Sequence, residues 1–388
     1  MCILLTVFRR EVRRMLANRI YGVACVVLPL FSLIFMATIF GNGRLENLPV
    51  GVVDADNSSL SRNIIRMVEA SPSLHVAKHY ADAAEAKKDV QRKRIYGYLV
   101  IPPGFAERVG NNQQTCLVYY YHNAMLSIGG ELHATFEQLL KQFSVQPIVV
   151  RSMALGESPS TVSSFLMPIT EEEAPIYNLD RNYAVYLSQP FFFVLLQVLL
   201  LLVTIYALGS ETKFGTSEEW LQSAGGSIQI AVMGKLLPYT FVFIVVGLLA
   251  NWVFFGWMGI PLPCSLWMLN ILMCLFVLAT QSLALFLFSL FPVLGLIISV
   301  VSMMGSLGAT LSGVTFPVSF MDTPIVVASW LFPVRHFMEA EQVLIYLDGG
   351  FAHIWTSIVA LLVFLLPPLC LMAHLKHALI SRKYDTLV

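Results

Sequence analysis

The order of apolar and polar stretches divides the chain into one isolated apolar run, a long polar stretch and five further apolar runs. Each run has about the 20 residues that a helix needs to cross the hydrocarbon core of a bilayer. The predicted membrane-spanning helices cover residues 21–40, 190–208, 236–257, 266–291, 292–315 and 354–373, and none of these ranges contains Asp, Glu, Lys or Arg. The pattern predicts an α-helical integral membrane protein with six transmembrane helices.

The polar stretch at residues 41–185 is long enough to fold as a domain. Strand-like runs at 48–53, 74–77, 96–101 and 116–121 alternate with helix-like segments at 60–70, 81–93 and 105–109. A turn and helix-cap cluster separates the first strand from the first helix, at residues 54–59. A long helix at 127–155 and a loop at 158–175 are expected to follow. This alternation predicts an α/β or α+β domain inserted between transmembrane helices 1 and 2.

The basic residues beside the apolar runs predict the orientation of the chain. They lie before the first run, in the loop 209–235 after the second run, and in the tail 376–388. By the positive-inside rule all three places are cytoplasmic, so both termini are expected in the cytoplasm. The domain at 41–185 is then expected outside, because long polar stretches are translocated largely regardless of their charge.

Residues 1–20 combine apolar side chains at near-helical spacing with a group of arginines, Arg9, Arg10, Arg13 and Arg14. This combination is typical of a basic amphipathic helix that lies in the membrane interface. Two interpretations stay open. The segment is either a plain topology signal, or an elbow helix that links membrane motion to a cytoplasmic partner.

Composition and motifs exclude several other classes. Hydrophobic residues make up 57% of the chain and charged residues 12%, as expected for a membrane protein. Lys and Arg together number 24, equal to Asp and Glu, so nothing favours nucleic acid as a partner. The one Gly-Lys pair, Gly234-Lys235, lacks the spacing of a phosphate-binding loop. We therefore expect no enzyme activity, no metal site and no bound cofactor in this chain.

The polar residues within the predicted spans are neutral amides: Gln197, Asn251, Asn270 and Gln281. Ion-coupled transporters normally carry ionisable groups at mid-membrane, so a proton-driven mechanism is disfavoured. The amides are expected to form hydrogen bonds between helices. In the fifth run, Gly305, Ala309 and Gly313 form a stripe of small residues, which predicts close packing within the chain or at a subunit interface.

The loop 209–235 carries the most specific pattern. It reads Glu211-Thr-Lys-Phe-Gly215-Thr216-Ser-Glu218-Glu219-Trp220-Leu221, and later Gly234-Lys235-Leu-Leu-Pro238-Tyr239. A short amphipathic helix with acidic residues in its first turn is expected after Thr216 or Ser217. The loop resembles that of permease subunits of type-2 ABC exporters, the ABC-2 transporter family. One departure is Lys213, which stands where a second acidic residue is usual.

Three other stretches are similar to the same family: the start of the domain, 49–61 together with 98–105; the entry to the second run, 177–183; and 311–317 followed by 330–337. After the second of these, Gln189-Pro190 replaces the usual Pro-Gly. In the segment 316–353, prolines rule out an uninterrupted span and predict short re-entrant helices at the outer leaflet, or alternatively a surface loop. The resemblance implies that Pro317, Pro333 and Arg335 of this segment border the substrate exit.

The resemblance also implies a function. The chain would be the permease subunit, residues 186–375 carrying helices 2–6, of an ATP-driven exporter in the bacterial inner membrane, which moves a drug, lipid or peptide outward. A dimer of ABC ATPase subunits would bind ATP and Mg and dock on Glu211, Gly215, Thr216, Glu218, Trp220, Leu221 and Lys235. Further expected partners are a second copy or close paralogue, membrane lipids and a periplasmic adaptor. The alternatives are an ion-coupled secondary transporter and a membrane-anchored external sensor or scaffold.

Overall fold

The computed structural model describes residues 2–39, 43, 45–111, 113–154, 182, 184–346 and 350–381. The chain divides into a membrane unit, Met1–Gly43 with Tyr177–Val388, and a sheet unit, Arg44–Ile176. The predicted loop at 158–175 and the end of the predicted tail, 382–388, lie outside the described residues.

Six helices of the membrane unit are long and apolar enough to cross a bilayer. Spans 1 to 6 are Arg19–Ile39, Tyr186–Lys213, Ile228–Trp257, Leu266–Leu290, Leu294–Leu311 and Phe351–Ile380. The prediction of a mainly helical chain with six membrane-spanning helices is confirmed. The other helices, α1 to α8 in chain order, are Cys2–Ala17, Ser59–Glu69, Ala83–Gln91, Phe105–Gly110, Leu126–Ala154, Ser217–Ser223, Thr323–Ser329 and Pro333–Tyr346.

Spans 2 and 3 reach further into the loop between them than predicted. Span 2 ends at Lys213 and span 3 begins at Ile228. Glu211 and Lys235 therefore lie inside these helices, and the expectation of spans without ionisable side chains does not hold for them. Hydropathy marks only the apolar part of a helix, whereas the helix itself continues while its backbone groups and charged side chains find partners.

Spans 2, 3 and 4 form the centre of the membrane unit. In the most apolar window of span 2, 67% of the residues are buried, against 28%, 33% and 22% in spans 1, 5 and 6. The predicted amide contacts between helices are confirmed. Asn251 of span 3 donates to Asn270 of span 4 at 2.9 Å, and Gln281 of span 4 accepts from Thr240 of span 3 at 2.6 Å.

Short helices follow span 5, as the prolines predicted. They are a 3₁₀ turn at Val318–Phe320, then α7 and α8. Helix α8 runs antiparallel to the first half of span 2: the backbone N–H of Val334 donates to Gln197 Oε1 at 2.8 Å, and Gln189 Nε2 donates to Glu341 Oε1. Its position at the outer leaflet stays a prediction.

The predicted stripe of small residues needs a correction. Span 5 ends at Leu311, and Gly313 lies after it with φ +85°. Such a backbone angle favours glycine and ends a helix, so Gly313 belongs to the turn and not to the stripe. Gly305 is where close packing occurs, because an added Cβ would lie 2.8 Å from Val198 Cγ2 of span 2. At Gly305 the stripe is therefore a seam within the chain.

The sheet unit contains four strands in the order β2-β1-β3-β4. Strands β1 to β4 are Leu48–Asp54, Leu74–Tyr80, Gly97–Ile101 and Val118–Tyr121. Strand β1 pairs in parallel with β2 and β3, while β4 is antiparallel to β3. Helices α2 to α5 separate or follow these strands as the alternation predicted. The placement of this unit outside the membrane stays a prediction.

The turn between β1 and α2 confirms the predicted cap cluster. Ser58 Oγ accepts from the backbone N–H of Ser61 at 3.0 Å, and Ser61 Oγ accepts from the backbone N–H of Ser58 at 3.0 Å and donates to Asp54 Oδ2 at 2.7 Å. Asp56 in the same turn accepts from the backbone N–H of Ala106 in α4 at 3.1 Å. Hydrogen bonds, first from Ser58 and then from this backbone, lower the pKa of Asp56. The turn thus fixes both α2 and α4 at the carboxyl end of β1.

Candidate functional site

A buried ion cluster joins α1 to the end of span 2 and the start of span 3. At its centre, the fully buried carboxylate of Glu211 accepts hydrogen bonds from Arg10 at 3.0 and 3.2 Å, from Arg14 at 2.5 Å and from Lys235 at 2.8 Å. Thr216, just before α6, also donates to it. Three parts of the chain that are far apart in sequence therefore converge on one carboxylate.

Lys235 is the second centre of the ion cluster. Its ammonium group is fully buried and donates to Glu11 Oε2 at 2.7 Å as well as to Glu211. The other oxygen of Glu11 accepts from the Tyr239 hydroxyl at 2.8 Å. A buried charge is tolerated only when it is paired and hydrogen-bonded, and both conditions are met here.

The sequence of α1 explains why it docks on the spans. Val7, Arg10, Glu11 and Arg14 follow the spacing that places side chains on one face of a helix. Val7 is buried against Gly234 of span 3, where an added Cβ would lie 2.7 Å from Val7 Cβ and 3.3 Å from the Leu4 carbonyl oxygen. Glycine at position 234 thus lets α1 approach closely enough for Lys235 to reach Glu11.

Helix α6 is held beside the ion cluster by Trp220. The indole is fully buried and donates from Nε1 to the Ala231 carbonyl at 3.2 Å, and the Lys235 ammonium lies 5.3 Å from the ring centroid. Leu221 is also buried, in the same hydrophobic cluster as Trp220 and Val7. The acidic residues of α6, Glu218 and Glu219, are exposed.

The predicted coupling residues therefore fall into two groups. Glu211, Trp220, Leu221 and Lys235 are buried within the chain, where they fix the loop. Gly215 and Glu218 are exposed, and Thr216 is half-buried. Glu218, Gln222, Gly226 and Ile380 help to line an open groove of about 490 Å³. A partner could reach this groove and the exposed face of α6, whereas the buried group could act only through the loop it holds.

The other predicted site residues are also separated by the structure. Arg10 and Arg14 face the ion cluster, while Arg9 and Arg13 are exposed. In the segment after span 5, Pro317 is exposed, Pro333 is buried at the start of α8, and Arg335 is buried in its first turn. Of the stripe, Gly305 is buried and Ala309 is half-buried.

Sequence reasoning missed Glu11, and it quoted Tyr239 only as part of a motif. Among many arginines, a single glutamate is usually a solvated helix partner, which gives it little weight. The available signal was its position: Glu11 lies four residues after Val7 and three before Arg14, on the apolar face of α1. An acidic residue on a buried face needs a cation or another hydrogen-bond donor as its partner, and for Glu11 the cation is Lys235.

Six apolar helices, with a sheet unit inserted after the first, are typical of a multi-pass membrane protein. A family model described as "ABC-2 family transporter protein" matches residues 21–373, and the chain belongs to this family. It is similar to the "Inner membrane transport permease YhhJ" of Escherichia coli (strain K12), with 24% identity over 373 residues and 91% of each chain covered. The protein of the same name from Shigella flexneri matches with the same values.

Proposed function

We propose that the chain is the permease subunit of an ATP-driven exporter in the bacterial inner membrane. Its energy would come from a separate ABC ATPase dimer, which binds ATP and Mg and docks on the exposed face of α6. The substrate class is a hydrophobic or amphipathic molecule, moved outward. Membership of the ABC-2 family and similarity to the inner membrane transport permease YhhJ support a transport role.

The ion cluster is the observation that carries the proposal. Helix α6 is bonded to span 3 through the hydrogen bond from Trp220. On either side of α6, Glu211 and Lys235 form salt bridges with α1 and with each other. Force applied to α6 would therefore reach α1 and spans 2 and 3 together. Stiff, fully satisfied polar networks suit such transmission because they move as one body. In this mechanism α1 is the elbow helix and not merely a topology signal.

The proposed assembly contains two permeases, either two copies or this chain with a close paralogue, on two ATPases. Membrane lipids surround it, and a periplasmic adaptor is a further proposed partner. The sheet unit would lie on the outer side, where such an adaptor could contact it.

Co-expression with the candidate ATPase tests the docking surface. The wild-type chain should co-purify with the ATPase in a complex that hydrolyses ATP in a vanadate-sensitive manner. We propose that basic groups of the ATPase face Glu218 and Glu219, so Glu218→Lys with Glu219→Lys should lower co-purification about tenfold, since like charges across an interface are costly. Glu69→Lys, an exposed acidic residue in α2, is the matched control and should have no effect. Unchanged assembly and hydrolysis in the double variant would refute docking on α6.

A second variant separates docking from transmission. Arg10→Gln with Arg14→Gln removes the contacts of α1 to Glu211 but leaves the exposed face of α6 intact. We expect the ATPase to co-purify normally while the vanadate-sensitive activity of the complex falls several-fold. Full activity in this variant would show that α1 takes no part in coupling. Arg9→Gln with Arg13→Gln, both exposed in α1, provides the control.

A further inference from the structure

Arg335, in the first turn of α8, is a buried cation that forms no salt bridge with any of the residues that the structure describes. Its side chain is 7% exposed, and its Nε and Nη1 atoms have no hydrogen-bond partner among the described residues. Glu339, one turn further along α8, is exposed. An unpaired charge in such surroundings is strongly unfavourable, so the placement of Arg335 lowers the stability of the chain unless something else binds to it.

The position within the helix adds to this cost. The N-terminal end of a helix carries the positive end of the helix dipole, where a cation is disfavoured and an anion is favoured. Two backbone donors at this end of α8 are already used, because the N–H of Val334 donates to Gln197 and that of Arg335 to the Phe332 carbonyl. Three buried side-chain donors here have no hydrogen-bond partner among the described residues: Nε and Nη1 of Arg335, and Nε2 of Gln197.

The depth of Arg335 follows from the contacts of α8 with span 2. Gln189 contacts Glu341 and Gln197 contacts Val334, and these two glutamines are about 12 Å apart along the helix axis. The first turn of α8 thus lies well inside the length of span 2.

Trp330 connects the buried cation with the surface. The Arg335 guanidinium lies 4.9 Å from the centroid of the Trp330 ring, and the Trp330 carbonyl accepts a hydrogen bond from the His336 ring at 3.2 Å. Trp330 itself is 54% exposed. On the same segment, Phe320, Val327 and Leu331 expose apolar side chains that an acyl chain could contact. The backbone N–H of Trp330 donates to the Val327 carbonyl at 3.2 Å, and Leu331 follows Trp330 in the chain, so exposed apolar residues adjoin the residue whose ring contacts Arg335.

We infer that Arg335 and Trp330 form a binding site for the anionic headgroup, phosphate or carboxylate, of an amphiphile whose apolar tail lies against Phe320, Val327 and Leu331. The guanidinium can donate two parallel hydrogen bonds to such a group, which a lysine cannot. The ligand is either a bilayer phospholipid or a transported amphiphile, and both share this chemistry.

The test is native mass spectrometry of the purified full-length chain with phosphatidylglycerol or phosphatidylcholine, without any ATPase. The wild type should retain phosphatidylglycerol, and Arg335→Gln should lower its retention about tenfold, the effect of losing a charge-assisted hydrogen bond. Arg335→Lys should retain more phosphatidylglycerol than Arg335→Gln but less than the wild type. Arg66→Gln, an exposed arginine of α2, is the control and should bind as the wild type. Equal retention by wild type and Arg335→Gln would overturn the inference.

Two further arms complete the experiment. Trp330→Leu changes an exposed residue, so it should fold even if Arg335→Gln does not, and it should weaken phosphatidylglycerol retention; unchanged retention counts against the site. Competition with oleate identifies the source: displacement supports any anionic amphiphile, and resistance supports a bilayer phospholipid. Because no ATPase is present, failure of this test is distinct from failure of the export proposal.

Discussion

Among the residues that the structure describes, Lys235 is the one whose side chain contacts both buried carboxylates of the ion cluster, Glu11 and Glu211. Arg10 and Arg14 also neutralise Glu211, whereas the other hydrogen-bond partner of Glu11 among the described residues is the neutral hydroxyl of Tyr239. Loss of the ammonium group would therefore leave Glu11 as a buried carboxylate without a counter-charge. Removing one partner of a buried ion pair lowers the free energy of unfolding by far more than the intact pair contributes to it.

We predict that Lys235→Met destabilises the membrane unit by about 3–5 kcal/mol, the usual cost of breaking a buried ion pair. Adding Glu11→Gln should restore much of this stability, because the amide still accepts from Tyr239 and carries no charge. The measurement is thermal unfolding of the full chain in one detergent. Lys213→Met, at the exposed end of span 2, serves as control. A double variant no more stable than Lys235→Met would show that Glu11 is not the residue left unpaired.

The ion cluster also shows how far sequence reasoning reaches at this scale. Glu211 and Lys235 could be selected because they belong to a family-like loop, but their burial could not. Whether a charged side chain is exposed depends on which helix packs against it. Glu211 is covered by α1, whose Arg10 and Arg14 lie more than 190 residues before it in the sequence. Local patterns contain no information about such a distant partner.

The sequence predicts whole helices and strands better than it predicts the burial of single side chains. Hydrophobic periodicity and cap residues are local features of the chain. The four strands and the helices between them lie close to their predicted positions, because alternation and cap residues act within a few positions. Errors occurred at helix ends: span 5 stops at Leu311, and spans 2 and 3 extend into their loop. Hydropathy defines where a helix is apolar, whereas glycine geometry and side-chain partners define where it ends.

The close packing of α1 on span 3 predicts that a larger side chain at Gly234 will destabilise the contact between these two helices. Gly234→Ala would place a methyl group against Val7 and the Leu4 carbonyl, so the two helices must separate. We expect a loss of about 1–3 kcal/mol in stability, as for other overpacked sites. Gly295→Ala in span 5 is the control, because nothing lies within 4 Å of its added Cβ. The stability of the two variants is compared by thermal unfolding. A Gly234→Ala variant as stable as Gly295→Ala would contradict the tight contact between α1 and span 3.

For the whole molecule, the ion cluster restricts how the chain crosses the membrane. It joins the helix before span 1, the end of span 2 and the start of span 3. These three points lie on one side only if spans 1 and 2 cross in opposite directions. The chain between spans 1 and 2, which includes the sheet unit, is then expected on the other side. Basic flanks had predicted the same orientation on independent grounds.

Cysteine labelling tests this orientation, because Cys116 is exposed in the sheet unit. In a variant that keeps Cys116 and replaces the other cysteines by serine, a membrane-impermeant maleimide should label the chain from the periplasmic side of intact inner membranes. With Cys116→Ser and Lys213→Cys instead, labelling should require permeabilised inner membranes, since Lys213 ends span 2 beside the ion cluster. If both variants react from the same side, the sheet unit and the coupling loop share one face of the membrane. A partner ATPase in the cytoplasm would then meet the sheet unit as well as α6, and the division of the chain into an outer domain and an inner docking surface would fail.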